Sequence, residues 1–231
     1  MNYIIWNDKD SRNINGLMIC ELPPITKPQM RVKETVIDGV DGSIIEELGY
    51  ESYDKTISVG LKIGADVDTI LEYFTGNGEI TFSNEPNKYY KARIIKGIDY
   101  SRLARYRVAK VTFRVQPFKY DTTEAEIYNL TDKKEVTVVN LGNHTAKPLI
   151  TIKGTGTVEL SVNGTTICNY TFPDGEDTVI LDSEKQDAYV GDALKNRNMG
   201  GDFPILAKGT NTISWSGTVE RISIKRYSRW L

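Results

Sequence analysis

Apolar and polar residues alternate with period two over much of this chain, the pattern of strands with one buried and one wet face. From Tyr53 to Ile63, residues Tyr53, Lys55, Ile57, Val59, Leu61 and Ile63 fall on one face, and Asp54, Thr56, Ser58, Gly60 and Lys62 on the other. Val111, Phe113, Val115 and Pro117 alternate in the same way with Lys110, Thr112, Arg114 and Gln116. The segments KYYKARIIKGI and RYRVAKVTFRVQPF are therefore expected to pair across a turn near Ser101. Ahead of them, YIIW and RVKETVI read as short strands between turn clusters at Asn15-Gly16 and Pro23-Pro24. Asp38-Gly39 and Asp41-Gly42 follow in close succession and mark a loop before SIIEELGY that is long enough to be mobile or to reach a neighbour. One stretch changes period. After Asp66, whose carboxylate can cap free N–H groups, Val67, Ile70, Leu71 and Phe74 stand at offsets of 0, 3, 4 and 7, which predicts a helix that Gly76 ends.

The stretch from Asp121 to Lys134 (DTTEAEIYNLTDKK) is polar and poor in large apolar residues, which suits a linker or an edge strand. It places a domain boundary between a first domain, 1–125, and a second, 126–231. Beyond it, EVTVVN, PLITIKG, TVELSVNG, TTICNYTF, DTVILD, NTISWSG and VERISIKRY are separated by Gly, Asn and Asp at the spacing of a two-sheet sandwich. Asn163-Gly164 is the clearest hairpin turn, and Gly154-x-Gly156 is expected to be another. Gly209, Asn211 and Gly217 punctuate two final runs in which Ile213, Trp215, Val219, Ile222 and Ile224 can line buried faces. Residues 184–201 resist the scheme and are expected to form a long loop with a short helical turn. The fold class is mainly β: an N-terminal β-sandwich or barrel-like domain with one packed α-helix, followed by a β-sandwich.

Composition agrees with this and narrows the partners. Thirteen Tyr and 19 Gly, with many Thr, Val and Ile, suit pleated strands joined by tight turns. Lys plus Arg number 29 against 31 Asp plus Glu, so the molecule as a whole offers no strong field for nucleic acid or an anionic membrane. The N-terminus has no cationic start with a following apolar run, and no segment approaches the roughly 20 apolar residues of a membrane helix, so synthesis in the cytoplasm as a soluble protein is expected. Cys20 and Cys168 are expected to be buried free thiols. The Asn-x-Thr triplets at Asn129, Asn143, Asn163 and Asn169 read as turn chemistry.

Few residues suit catalysis. The single histidine, His144, stands in a turn sequence with no second His and no neighbouring Cys, so no metal site is expected. Gly154-x-Gly156 lacks the helix start and Gly-Lys-Ser/Thr of a phosphate loop. Glu46-Glu47, and Glu85 near Tyr89-Tyr90, are the nearest approach to paired carboxylates, but adjacent strand residues point to opposite faces. No catalytic, cofactor-binding or metal residue is therefore assigned, and the chain is read as a non-enzyme. Lys91, Arg93, Lys96, Arg102, Arg105, Arg107, Lys110 and Arg114, interleaved with Tyr89, Tyr90, Tyr100 and Tyr106, read as a solvated or subunit-contacting face in preference to a nucleic-acid site. Tyr170, Phe172, Tyr189, Phe203 and Trp215 could stack on a sugar or pack a core.

Several strings resemble the distal tail proteins of long-tailed (siphovirus-type) bacteriophages and prophages: DGSIIEELGYESY, ILEYFTGNGEITFSNEPNKYYKARI, VTFRVQPFKY, NLGNHTAKPLITIKGTG and the ending FPIL…GTNTISWSGTV…RW. The resemblance implies a virion structural protein at the tail tip or baseplate, made in the bacterial host cytoplasm. Its first domain would be tail-tube-like and close into a homo-hexameric ring. The second would be a galectin-like or carbohydrate-module-like sandwich projecting outward. The implied partners are the tail tube protein, the tail-associated hub protein and a receptor-binding protein for host attachment, with no membrane and no sequence-specific nucleic acid. Ring contacts are expected from the DGVDGS loop and exposed strands of the first domain. At 231 residues the chain has no room for the sugar-binding modules inserted in some family members. The alternative is a stand-alone carbohydrate-binding module for bacterial wall polysaccharide. A tail-tip lytic enzyme is disfavoured by the missing carboxylate or metal site.

Overall fold

The computed structural model describes residues 1–99, 107–122 and 133–231, together with the backbone of 126–129. They form two compact units, Met1–Tyr120 with Leu231, and Asp121–Trp230. Both are mainly β.

The first unit contains β1 (Ile4–Trp6), β2 (Lys9–Asp10), β3 (Leu17–Glu21), β4 (Met30–Thr35), β5 (Ile44–Tyr50), β6 (Tyr53–Leu61), α1 (Val67–Tyr73), β7 (Asn77–Phe82), β8 (Lys88–Ile94) and β9 (Val108–Asp121). The main sheet runs β2-β1-β7-β8-β9-β6-β3. In β6 and β9 the alternating sequence becomes alternating burial: Lys55, Ile57 and Val59 face inward opposite Phe113, Val111 and Ala109, and Leu61 is buried beyond them, while Asp54 and Thr56 stay wet. Ile63, expected to extend this face, lies beyond the strand end and is exposed. The turn expected near Ser101 lies outside the described residues, although β8 and β9 are neighbours.

Helix α1 starts where Asp66 Oδ1 accepts from the backbone N–H of Asp68 at 3.1 Å, a cap that stabilises by about 1 kcal/mol. It ends two residues earlier than expected, at Phe74, which caps with its N–H on Ile70 and Leu71. Asn77 and Gly78 then open β7. The helix covers the sheet with Ile70, Leu71 and Phe74. Edge-to-face contacts link Phe113 to Trp6, Phe74 and Phe82 at 5.3, 6.4 and 6.2 Å, each worth about 0.5–1.5 kcal/mol beyond area burial.

The second unit contains β10 (Glu126–Asn129), β11 (Glu135–Asn140), β12 (Leu149–Val162), β13 (Thr165–Thr171), β14 (Thr178–Asp182), β15 (Asp187–Val190), β16 (Ala193–Leu194), β17 (Met199–Gly201) and β18 (Gly209–Lys225). Its spine is the antiparallel pair of the long strands β12 and β18. The first half of β12 also pairs with β14 and its second half with β13, while β18 takes β11 and then β10 on its other edge. Between β12 and β13, Asn163 and Gly164 both have positive φ, 52° and 81°, as the two-residue hairpin turn requires. Gly154-x-Gly156 is not a hairpin turn, and Gly217 does not separate two strands. Both lie inside continuous strands, where the register between β12 and β18 shifts. The long loop expected at 184–201 is also absent: β15, β16, a 3-10 turn at Asn196–Asn198 and β17 occupy it.

Candidate functional site

Among the described residues, strands β4 and β5 pair only with each other, from Met30 opposite Tyr50 to Thr35 opposite Ile44, as a two-stranded arm separate from the main sheet. Every residue between Arg31 and Gly49 is exposed, on both faces of the hairpin. Val36, Ile37, Val40, Ile44 and Ile45 are 71, 45, 61, 60 and 62% exposed, an apolar tip without cover among the described residues. A lone two-stranded hairpin is marginally stable in water, and an apolar edge of this kind is a template for association. The DGVDGS loop forms the tip, with Gly39 and Gly42 at φ 83° and 88° turning the chain back.

The arm is also acidic. Residues 34–51 carry Glu34, Asp38, Asp41, Glu46, Glu47 and Glu51 and no Lys or Arg. Lys33 lies 3.5 Å from Glu46, but this exposed pair is worth little. Asp38, Asp41 and Glu47 have no ion pair among the described residues.

Side chains hold the approach to the arm. Lys55 Nζ donates to the Pro24 carbonyl at 2.8 Å, and Asn84 Nδ2 donates to that of Pro23 at 3.1 Å. Lys55 is buried among aromatic rings, its Nζ 5.0 Å from the Tyr90 centroid, and burial pushes its ammonium down to about 8 against the attraction of Glu85. Glu85 accepts from Lys119 Nζ at 2.6 Å and Tyr90 Oη at 2.7 Å. Burial would raise its carboxyl, but these bonds outweigh it and hold the group below the usual carboxylate range. Burial, and then the bond to Glu85, push the Tyr90 hydroxyl up. Sequence reading placed Lys55 on the buried face but missed this cluster, because Glu85 and Lys119 lie 34 residues apart.

The other singled-out residues are not gathered into a reaction centre. Glu46 and Glu47 are exposed on the arm, and Glu85 is engaged by a lysine and not by a second carboxylate. His144 is half-buried, with its carbonyl accepting from Asn140 Nδ2 at 2.8 Å and Nδ1 3.2 Å from Thr145 Oγ1. Among the described residues, no three His, Cys, Asp or Glu side chains gather to hold a metal, and no helix is long and apolar enough to cross a membrane. Cys168 is buried, its thiol pushed up to about 11 by burial, whereas Cys20 is exposed, contrary to expectation, and both are free. Tyr170, Phe172 and Trp215 are buried in the second unit and offer no platform to a sugar ring; Tyr189 and Phe203 are half-buried. Lys110 and Gln116 are exposed and Arg114 half-exposed on the wet face of β9, while Arg102 and Arg105 lie outside the described residues.

The chain is thus mainly β, in two units, with an acidic and apolar arm on the first. No protein-family model and no curated protein matches it. Among solved structures it is similar to the Dit protein (gp 19.1) of phage SPP1, described as a hub of the adsorption apparatus in phages infecting Gram-positive bacteria, with 13% identity, a TM-score of 0.67 and coverage of 98% of this chain and 99% of that one. A looser likeness, at TM-score 0.49 and 11% identity over 100% of both chains, is to a chain of the phage P2 baseplate in its calcium-bound activated conformation.

Proposed function

We propose that this protein is a structural component of a phage tail tip or baseplate, a hub whose chemistry is assembly and not turnover. Its first domain (1–125) closes into a homo-hexameric ring that joins the tail tube to the tail-associated hub protein. Its second domain (126–231) projects outward and supports receptor-binding components for host attachment. The observation that carries this reading is the fold likeness to the SPP1 hub protein over the full length of both chains. The arm supports it from the opposite direction: a hairpin with apolar residues exposed on both faces needs a partner. Two different patches on each subunit, repeated by rotation, close a ring. The same reading places the protein at the virion tail tip after synthesis in the bacterial host cytoplasm.

Light scattering over a concentration series, followed by electron microscopy, tests it. Six copies of the 26.0 kDa chain give about 156 kDa and a ring with a central channel. A chain that remains monomeric at every concentration, also with tail tube and hub proteins added, overturns the ring.

A further inference from the structure

The outer surface of β7, β8 and β9 holds a concavity of about 700 Å³ lined by Asn77, Glu79, Lys91, Arg93, Ile95 and Arg114, among others. Its lining carries three bases, Lys91, Arg93 and Arg114, on strands that are themselves rich in bases, and one acid, Glu79. Residues 88–96 contain Lys88, Lys91, Arg93 and Lys96, and residues 107–119 contain Arg107, Lys110, Arg114 and Lys119, with no Asp or Glu in either. Within the concavity, Arg114 lies 2.7 Å from Asp54, and Glu79 stands across the ladder from Lys91. Lys91 and Arg93 have no ion pair among the described residues; Lys91 Nζ is 4.8 Å from the Tyr120 ring centroid. Ile95, 57% exposed, adds an apolar wall.

From this complementarity we infer that the basic concavity receives the acidic arm tip of a second copy of the chain, an inference that rests on the ring reading above. A cavity with two unpaired cations and one apolar wall calls for an anionic, partly apolar occupant. The tip offers Asp38 and Asp41, unpaired, beside exposed Ile37 and Val40. The chain's own arm does not fill the site, since its tip stands exposed on both faces. A tip on one surface and its receptor on another make a heterologous contact, which repeats from copy to copy until it closes. Lys91 and Arg93 set the register by pairing with carboxylates, and the apolar residues supply the burial.

Charge reversal in the full chain tests this, with circular dichroism and thermal melting to show that each variant folds. The groove variant is Lys91→Glu with Arg93→Glu, and the tip variant is Asp38→Lys with Asp41→Lys. Each alone is expected to raise the half-association concentration about tenfold or more. Mixed one to one, they are expected to restore the large species, because each reversed tip then finds a reversed groove around an even-numbered ring. Two folded variants that assemble like the wild type leave the ring reading standing and overturn this receptor site. Loss of assembly in both without rescue on mixing also overturns the site, because the two sets of charge then do not meet each other. A wild-type chain that never associates removes the ring and this contact together.

Discussion

Glu85 lies between lysines in the interior of the first unit, and its removal has a definite consequence. With Glu85→Ala, the Lys119 ammonium and the Tyr90 hydroxyl lose this acceptor while remaining buried, and Lys55 loses the attraction of a nearby carboxylate. Breaking a buried pair from one side costs about 3–5 kcal/mol, so a clear fall in the thermal midpoint is expected. The pH dependence has a fixed sign. Because the Glu85 carboxyl is held below its usual value of 4.5, its contribution is present above that pH and is lost as pH falls through the lower folded value. Melting curves between pH 7 and 3 should show Glu85→Ala losing less stability on acidification than the wild type. Residues of this kind were half legible in the sequence. Period two put Lys55 on the buried face, but only the folded sheet shows what satisfies it. Asn211 is a second case. It stands in a Gly-rich run that reads as an exposed turn, yet it is fully buried with both Nδ2 and Oδ1 engaged by Ala207 and further bonds to Gly209 and Asn163. Local sequence cannot distinguish an Asn that makes a turn from one that satisfies it from within.

At the scale of elements, the same ambiguity explains the glycines. Gly156 and Gly217 have φ of 69° and 87°, values that serve a hairpin turn and a strand irregularity equally, so sequence signals read both as strand ends. In the structure each long strand continues through. A bulge at Glu220, where Arg221 pairs with Lys153 but Val219 with Gly154, shifts the inward face from Ile213 and Trp215 to Ile222 and Ile224. That extra residue broke the alternation and made one strand look like two. The glycines differ in what a side chain would meet. A Cβ at Gly156 finds nothing within 4 Å, whereas one at Gly217 would lie 2.3 Å from the Thr157 carbonyl oxygen. Gly156→Ala should therefore cost only the conformational strain, about 1 kcal/mol, and Gly217→Ala more, as strain and backbone clash combine. Denaturant unfolding of the two variants checks the order. Helix α1 and the Asn163-Gly164 hairpin were legible because their signals are local: a capping Asp with apolar spacing, and two adjacent residues at positive φ. The two-stranded isolation of β4 and β5 was not, since alternation shows that a strand exists and not which sheet accepts it.

For the whole molecule, the near balance of charge hides a separation that bears on assembly. A net charge of −2 conceals an arm segment of six acids and two strand segments of eight bases within one domain. Such charges orient an encounter more than they hold it, and at physiological salt their reach is about 8 Å. Adhesion must come from the tip's apolar side chains, each worth about 1.5–3 kcal/mol when fully buried. Replacing Ile37, Val40 and Ile44 together by Ser separates folding from assembly. All three are exposed in the single chain, Ile37 the least, so the thermal midpoint of the monomer should move little. In a ring each copy donates one tip and receives another, so the deficit recurs at every contact and the large species should vanish at concentrations where the wild type assembles. Light scattering of this variant beside the wild type, at low and high salt, apportions the contact. Assembly that survives the serine substitutions but dissolves in salt would make it electrostatic, while assembly lost through them and insensitive to salt in the wild type would make the apolar tip its source.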